Sequence, residues 1–283
     1  MEKCKEGSIE KIIIFDFKVT LSVFFNGRGL KIMWHKYLYD NFSANQTINS
    51  KKFLQTANEQ VDDIINLLGL NNKRVKILDV PCGTGRHLVQ FCKRGYKITG
   101  IEINRDLINI AKDLLAKKKL NAPIYQGNMN NLKKFAGKFD LVTNLFSSIG
   151  YFQNDKENEY AISEILKTVR HGGKAIFETT HRRYIDRVYS PITWHTDITN
   201  KTIIAETRCF DKKTSCMEGI QSFVDLKTGK TSSHYHKIRL YRANELKNII
   251  LKNGAKKVQL YSDLKGNPFD INQSKRLILI ASL

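Results

Sequence analysis

Residues 75–104, VKILDVPCGTGRHLVQFCKRGYKITGIEIN, leave this chain few folds to choose from. Val75, Ile77, Leu78 and Val80 form a β-branched, apolar run that stops at Pro81, the pattern of a buried strand. Gly83 and Gly85 follow, and glycine at a turn lets backbone approach a ligand with no Cβ in the way. The spacing predicts a helix over about 84–94, stopped by Gly95, then a second strand over 97–103 with Glu102 near its tip. Strand, glycine turn, helix and strand make a nucleoside-binding βαβ unit of a doubly wound sheet. Ligands of such sheets sit outside the carboxyl ends of the strands. Asp79, Cys82, Gly83, Gly85 and Glu102 all fall there.

Spacing narrows the choice of nucleoside. The dinucleotide fingerprint needs a third glycine at position 88, which is Leu88. The phosphate loop G-x-x-x-x-G-K-[ST] is absent, so no lysine is placed to grip a triphosphate. Asp79, aimed into the turn, repels phosphate and suits an ammonium group. S-adenosylmethionine (SAM) carries a sulfonium and an amino group and no phosphate. Glu102 then suits both ribose hydroxyls, a bidentate role for a carboxylate.

LDVPCGTGRH resembles the first motif of class I SAM-dependent methyltransferases. GIEIN resembles the second motif, GNMN at 127–130 the third, and FDLVTNLFSSIGYF at 139–152 the fourth, in order. HGGKAIFET at 171–179 resembles the fifth strand with its glycine turn. The resemblance implies a Rossmann-like, seven-stranded, mostly parallel sheet with SAM as cofactor. It implies that Asn128 and Met129 meet the adenine, and that Asn144 stands at the fourth strand's tip beside the cofactor. Relatives commonly carry an acid where this chain has Asn128. The resemblance further makes residues 34–42, WHKYLYDNF, a lid over the pocket, with Tyr39 as its contact.

The chain divides into an N-terminal extension and lid segment (1–48), a SAM-binding core (49–180), an inserted antiparallel β lid (181–241), and a C-terminal helix with the closing strands (242–283). Residues 1–33 read as an accessory extension or as the product of an upstream start, with Met33 as the alternative. Helices are expected over 51–68, 105–118, 157–169 (ended by Gly172) and 242–253. Core strands are expected at 123–126, 139–144, 174–179, 257–262 and 276–281. Residues 181–241 show no helical period. Their alternating runs at 202–210, 217–226 and 233–241 predict an antiparallel sheet of about three strands.

Charge and cysteines bound the partners. Forty-seven Lys and Arg against 27 Asp and Glu leave a net +20, with a pI near 9.7. Such a balance attracts polyanions, yet the lysines are scattered, and abundant Lys, Ile and Asn also mark a compositionally biased genome. Both readings stay open. Five cysteines with no C-x-x-C pair and no histidine at ligand spacing suit a reducing cytoplasm and no metal site. The apolar stretch at 12–25 is broken by Asp16 and Lys18, so no membrane span is expected. The sequence specifies no oligomeric state.

Methyl transfer from a sulfonium needs the acceptor held close and in line, and a base only where the acceptor must lose a proton. No [DN]-P-P-[YF] follows the fourth strand, against exocyclic base amines. No cysteine stands near Asn144 or Thr179, against a covalent route to cytosine C5. The segment 144–152 resembles the small-molecule branch that includes glycine-type and amino-sugar N-methyltransferases, as does the inserted sheet. In some amino-sugar enzymes a histidine stands where this chain has Tyr151. Tyr151 and His181 are the candidate catalytic residues, with His234 and His236 as further candidate bases and Arg182 and Arg183 as anion contacts. The expected function is methylation of a small-molecule N or O atom. An RNA methyltransferase and a non-catalytic SAM-binding protein are the alternatives.

Overall fold

Alternation of β-branched runs with amphipathic helices produces a layered α/β fold in the computed structural model, which describes residues 51–198 and 201–283, with side chains from Leu54. Helix α1 (Lys51–Leu68) buries Ala57, Val61 and Ile64. The nucleotide-type unit follows as β1 (Lys76–Asp79), α2 (Arg86–Lys93), β2 (Lys97–Glu102), α3 (Arg105–Lys117) and β3 (Ile124–Gln126). The chain continues through β4 (Phe139–Asn144), α4 (Asp155–Thr168) and β5 (Val169–Thr180). After an excursion it returns as α6 (Ala243–Lys252), β10 (Lys257–Tyr261) and β11 (Arg276–Ser282). The seven strands lie in the order β10-β11-β5-β4-β1-β2-β3. β1 to β5 pair in parallel, and β11 runs antiparallel to both its neighbours. This is the expected sheet. Two apolar layers cover it, one around Leu78, Val142, Ile165, Phe177 and Leu246, the other around Ile64, Ile77, Leu88, Phe91 and Ile280.

The excursion is the inserted sheet, and it is larger than the sequence reading. Its four strands are β6 (Ile192–Asp197), β7 (Thr202–Asp211), β8 (Cys216–Asp225) and β9 (Thr231–Arg239), antiparallel throughout. β6 escapes the pattern because it is an exposed edge strand, with Ile192, Trp194 and His195 all facing solvent, so no alternation marks it. A seven-residue helix, α5 (Arg182–Val188), precedes it where no helix is expected; it buries only Arg182 and Ile185, too little for a visible period. The helix expected over 157–169 instead spans Asp155–Thr168, with Asn154 accepting from the Glu157 N–H as its cap. Val169 already belongs to β5, and the register slip opposite Phe139 and Leu141 accommodates Gly172 and Gly173 inside the strand. The candidate lid at 34–42, the extension 1–33 and Tyr39 lie outside the described residues.

Candidate active site

The strand tips β1, β2 and β4 converge on one cavity, and the order of events at β1 explains why. Buried Asp79 ends the strand, the Val80–Pro81 peptide is cis, and Gly83 and Gly85 turn the chain with φ of +52° and +76°. The two glycines do different work. A Cβ on Gly85 would sit 2.8 Å from the Ala111 Cβ, so Gly85 lets α2 pack against α3. A Cβ on Gly83 would meet nothing within 4 Å, because that side of the turn faces the cavity.

Asp79, Cys82, Gly83, Glu102, Asn128, Met129 and Tyr151 all line this cavity. Asn144 stands behind it, fully buried, donating from Nδ2 to the Val80 carbonyl at 2.7 Å and so tying β4 to the turn. His181 is not among the lining residues. It is buried at the start of α5, edge-on to Phe269 at 5.0 Å, and burial lowers its pKa. The ring packs on the connection between β10 and β11 that carries Phe269, and its position does not support a catalytic part. The sequence reading missed Arg86, Phe146 and Ser148, which also line the cavity. Arg86, the first residue of α2, is signalled only by its adjacency to the glycine turn.

The two carboxylates are held differently. Glu102 Oε1 accepts the N–H groups of Ile103 (2.8 Å) and Asn104 (2.9 Å), and Oε2 accepts that of Gly83 (3.0 Å). Glu102 thus welds the β2 tip to the glycine turn. It retains acceptor capacity chiefly on Oε2, so one ribose hydroxyl fits more readily than the two expected from sequence. Burial raises its pKa, against those three N–H groups. Asp79 Oδ1 accepts the Thr143 hydroxyl at 2.7 Å, while Oδ2 is buried with no partner among the described residues. Burial pushes Asp79 up to about 7, against Thr143 and the nearby Arg86 charge. A buried carboxylate oxygen without a partner costs free energy until a cation reaches it. An ammonium group in this cavity meets that need, and a phosphate does not, so these residues fit SAM. Cys82 is buried, and its thiol is held far above its ordinary pKa, so it packs rather than reacts.

The rim is the loop after β4. Phe146 and Ser147 both take φ near +60°, a conformation that costs about 1 kcal/mol or more for residues other than glycine. Glu178 of β5 holds them there: its Oε2 accepts the Phe146 N–H and its backbone carbonyl the Ser147 N–H, both at 2.9 Å. Arg276 of β11 pairs with Glu178 at 2.9 Å and donates to the hydroxyls of Ser147 (3.1 Å) and Thr180 (2.9 Å). An acid inside the apolar run KAIFETT was the sequence signal for this anchor. The Arg86 guanidinium lies 4.7 Å over the Phe146 ring.

The inserted sheet joins this rim. Gly150 accepts the Arg239 N–H at 2.8 Å, and Tyr151 packs against the cluster of Ile185, Ile238 and Leu240, as Phe210 and Met217 also do. The β7–β8–β9 register puts Glu206, Arg208 and His236 on the same face as Ile238. His236 reaches Glu206 at 3.1 Å past Gly219, where a Cβ would stand 3.0 Å from the ring. Burial opposes the Glu206 charge, but His236 and Arg208 outweigh it and hold the carboxyl below its usual range. Among the described residues no group of histidines, cysteines and acids could hold a metal, and no helix is long and apolar enough to cross a membrane.

Fold and cavity together define a Rossmann-like domain of the class I, SAM-dependent type. Residues 77–173 match the family model described as a methyltransferase domain. An uncharacterized methyltransferase of Schizosaccharomyces pombe is 30% identical over 125 residues, 42% of this chain and 84% of that one. The chain belongs to the methyltransferase family. It is also 32% identical over 102 residues to the dTDP-3-amino-3,4,6-trideoxy-alpha-D-glucopyranose N,N-dimethyltransferase of Streptomyces venezuelae, covering 36% of this chain and 41% of that one. The matches span less than half the length of the first curated relatives. The crystal structure of an S-adenosylmethionine-dependent methyltransferase from Clostridium acetobutylicum shares the fold, with a TM-score of 0.69 at 18% identity over 80% of this chain and 91% of that one.

Proposed function

We propose that this protein transfers a methyl group from SAM to a nitrogen or oxygen of a small molecule in the cytoplasm, with an amino sugar or related amine as the first acceptor class. One observation carries the acceptor reading: the inserted sheet is fastened to the rim of the cavity, through Gly150 and Tyr151. A sheet seated at that rim suits a small acceptor better than a folded polymer. The amino-sugar relative supports the same class.

SAM supplies an activated methyl on a sulfonium, with a thioether as leaving group. In this reading Asp79 takes the ammonium on Oδ2, and Glu102 takes a ribose hydroxyl on Oε2. Gly83 leaves the space that the amino-acid end enters. Asn128 and Met129 border the adenine end, with Met129 as a soft apolar surface. Asn144 acts from behind, by fixing the Val80 carbonyl. On the acceptor side the Tyr151 phenol orients the nucleophile. An ammonium acceptor must shed a proton before attack, and the His236–Glu206 pair lies on the sheet face that meets Tyr151. Alignment supplies most of the acceleration.

The test is transfer from methyl-labelled SAM into separate pools of dTDP-amino sugars, simple amines, phenols and total RNA. Label in an amine or phenol is the expected result. Label confined to RNA would overturn the small-molecule reading, and SAM binding with no transfer to any pool would overturn the enzymatic one.

A further inference from the structure

The fold joins a short basic and aromatic run, KKFAGKF at 133–139, to residues of the strand ends to make a groove. Two adjoining cavities run down the β3 edge of the main sheet. The first starts at Gly127 and Asn128, which it shares with the SAM cavity, and leads to Lys133 and Lys134. The second lies at the amino-terminal ends of the strands, between Lys76, Lys138 and Arg170. Tyr125 and Phe135 line both, and Tyr125 is 44% exposed. The Lys134 ammonium stands 4.9 Å from the centre of each of these two rings, which meet edge-to-face.

Charge here is unbalanced. Five lining side chains are basic and one, Asp140, is acidic. Asp140 is already spent, on Arg170 and on the Lys76 backbone N–H. Lys133, Lys134 and Lys138 make no ion pair among the described residues, and Lys76 shares Asp140 with Arg170. Lys97 makes the imbalance worse, since it sits directly opposite Lys76 in the β1–β2 register, and like charges so placed repel. A row of unneutralised cations beside an exposed ring is what single-stranded nucleic acid requires: phosphates along the lysines, a base against the tyrosine. An anionic membrane would want a flat face with aliphatic anchors, and this groove has neither. Free single strands in a cell are overwhelmingly RNA.

We propose that this groove docks single-stranded RNA, apart from the methyl acceptor site. It begins at the adenine end of the SAM cavity and leads away from Tyr151 and the inserted sheet, so RNA held here is not the group that receives the methyl.

The test is fluorescence anisotropy with a labelled oligo(U) of about 12 nucleotides, on the full chain, between about 50 and 200 mM salt. Micromolar binding at the low end, falling steeply with salt, is expected. Lys133→Ala/Lys134→Ala/Lys138→Ala should lower the log–log salt slope by about 2, and Tyr125→Ala should weaken binding on the order of tenfold with the slope unchanged. Lys212→Ala/Lys213→Ala, two lysines of the β7–β8 turn, should change neither. SAM binding by calorimetry should be the same in all three, which also shows that they fold. Absent binding, or equal losses from the groove and turn variants, would overturn the proposal. So would an oligo(dT) bound tenfold or more tightly than oligo(U), or groove-dependent binding to phosphatidylserine vesicles in place of RNA.

Discussion

In the main sheet the working carboxylate at the β2 tip is held by backbone: Glu102 receives the N–H groups of Gly83, Ile103 and Asn104. In the inserted sheet the polar groups hold one another, His236 on Glu206 and Lys237 on Glu218. The first arrangement fixes a position through strand ends that cannot move without unmaking the fold. The second can be rewired by changing side chains alone. That division suits a constant cofactor below and a variable acceptor above.

Glu102→Ala should break the contrast most sharply. Three backbone donors at a buried turn lose their acceptor, so roughly 3 kcal/mol of unfolding free energy should go, and SAM affinity should fall by about 1.5–3 kcal/mol. Denaturant melts and calorimetry measure both, and unchanged values would remove Glu102 from the pocket's framework. Gly150→Ala acts on the joint between the regions. Its Cβ would lie 2.3 Å from the Arg239 carbonyl oxygen at a φ of +96°. Acceptor turnover should drop by about tenfold or more through misalignment, with SAM affinity nearly intact. Equal loss of both would mean that the joint supports the cofactor too.

Asp79 gives a smaller, pH-dependent effect. Its folded pKa of about 7 lies above its unfolded value, so its contribution to stability is present in acid and disappears as pH rises through 7. Cofactor binding runs the other way, because an ammonium wants the ionised carboxylate. SAM affinity should therefore rise about tenfold from pH 6 to pH 8, and Asp79→Asn should be weak and flat across the same range. An equally steep profile in the variant would assign the titration to another group. Smallest is Tyr151→Phe, expected to raise the acceptor KM a few-fold with kcat little changed; a dominant fall in kcat would give the phenol a part in chemistry.

The cavity at the strand tips was legible because its parts lie within a few residues of strand ends, where motif spacing and spatial position coincide. Gly83, Asp79 and Glu102 are set by that rule. Asn144 followed the rule as far as the strand tip but faces inward, which spacing alone does not reveal. His181 misled because proximity to the fifth strand's end does not tell which side of β5 the chain leaves from; it turns under Phe269. The Glu178–Arg276 anchor and the lysine groove were legible only in part: the acid in KAIFETT and the run KKFAGKF at 133–139 stand in the sequence. Their partners, Arg276 for the one and Tyr125, Lys76 and Arg170 for the other, become neighbours only once the sheet order is known.

Arg276 donates to the Ser147 hydroxyl across 129 positions of chain. The glycine turn and Glu102, by contrast, are 19 apart. Local contacts close early in folding and distant ones wait on loop entropy. The cofactor cradle should therefore take shape before the rim does. Until β11 is in place, the loop after β4 lacks the anchor that holds Phe146 and Ser147 in their left-handed turn.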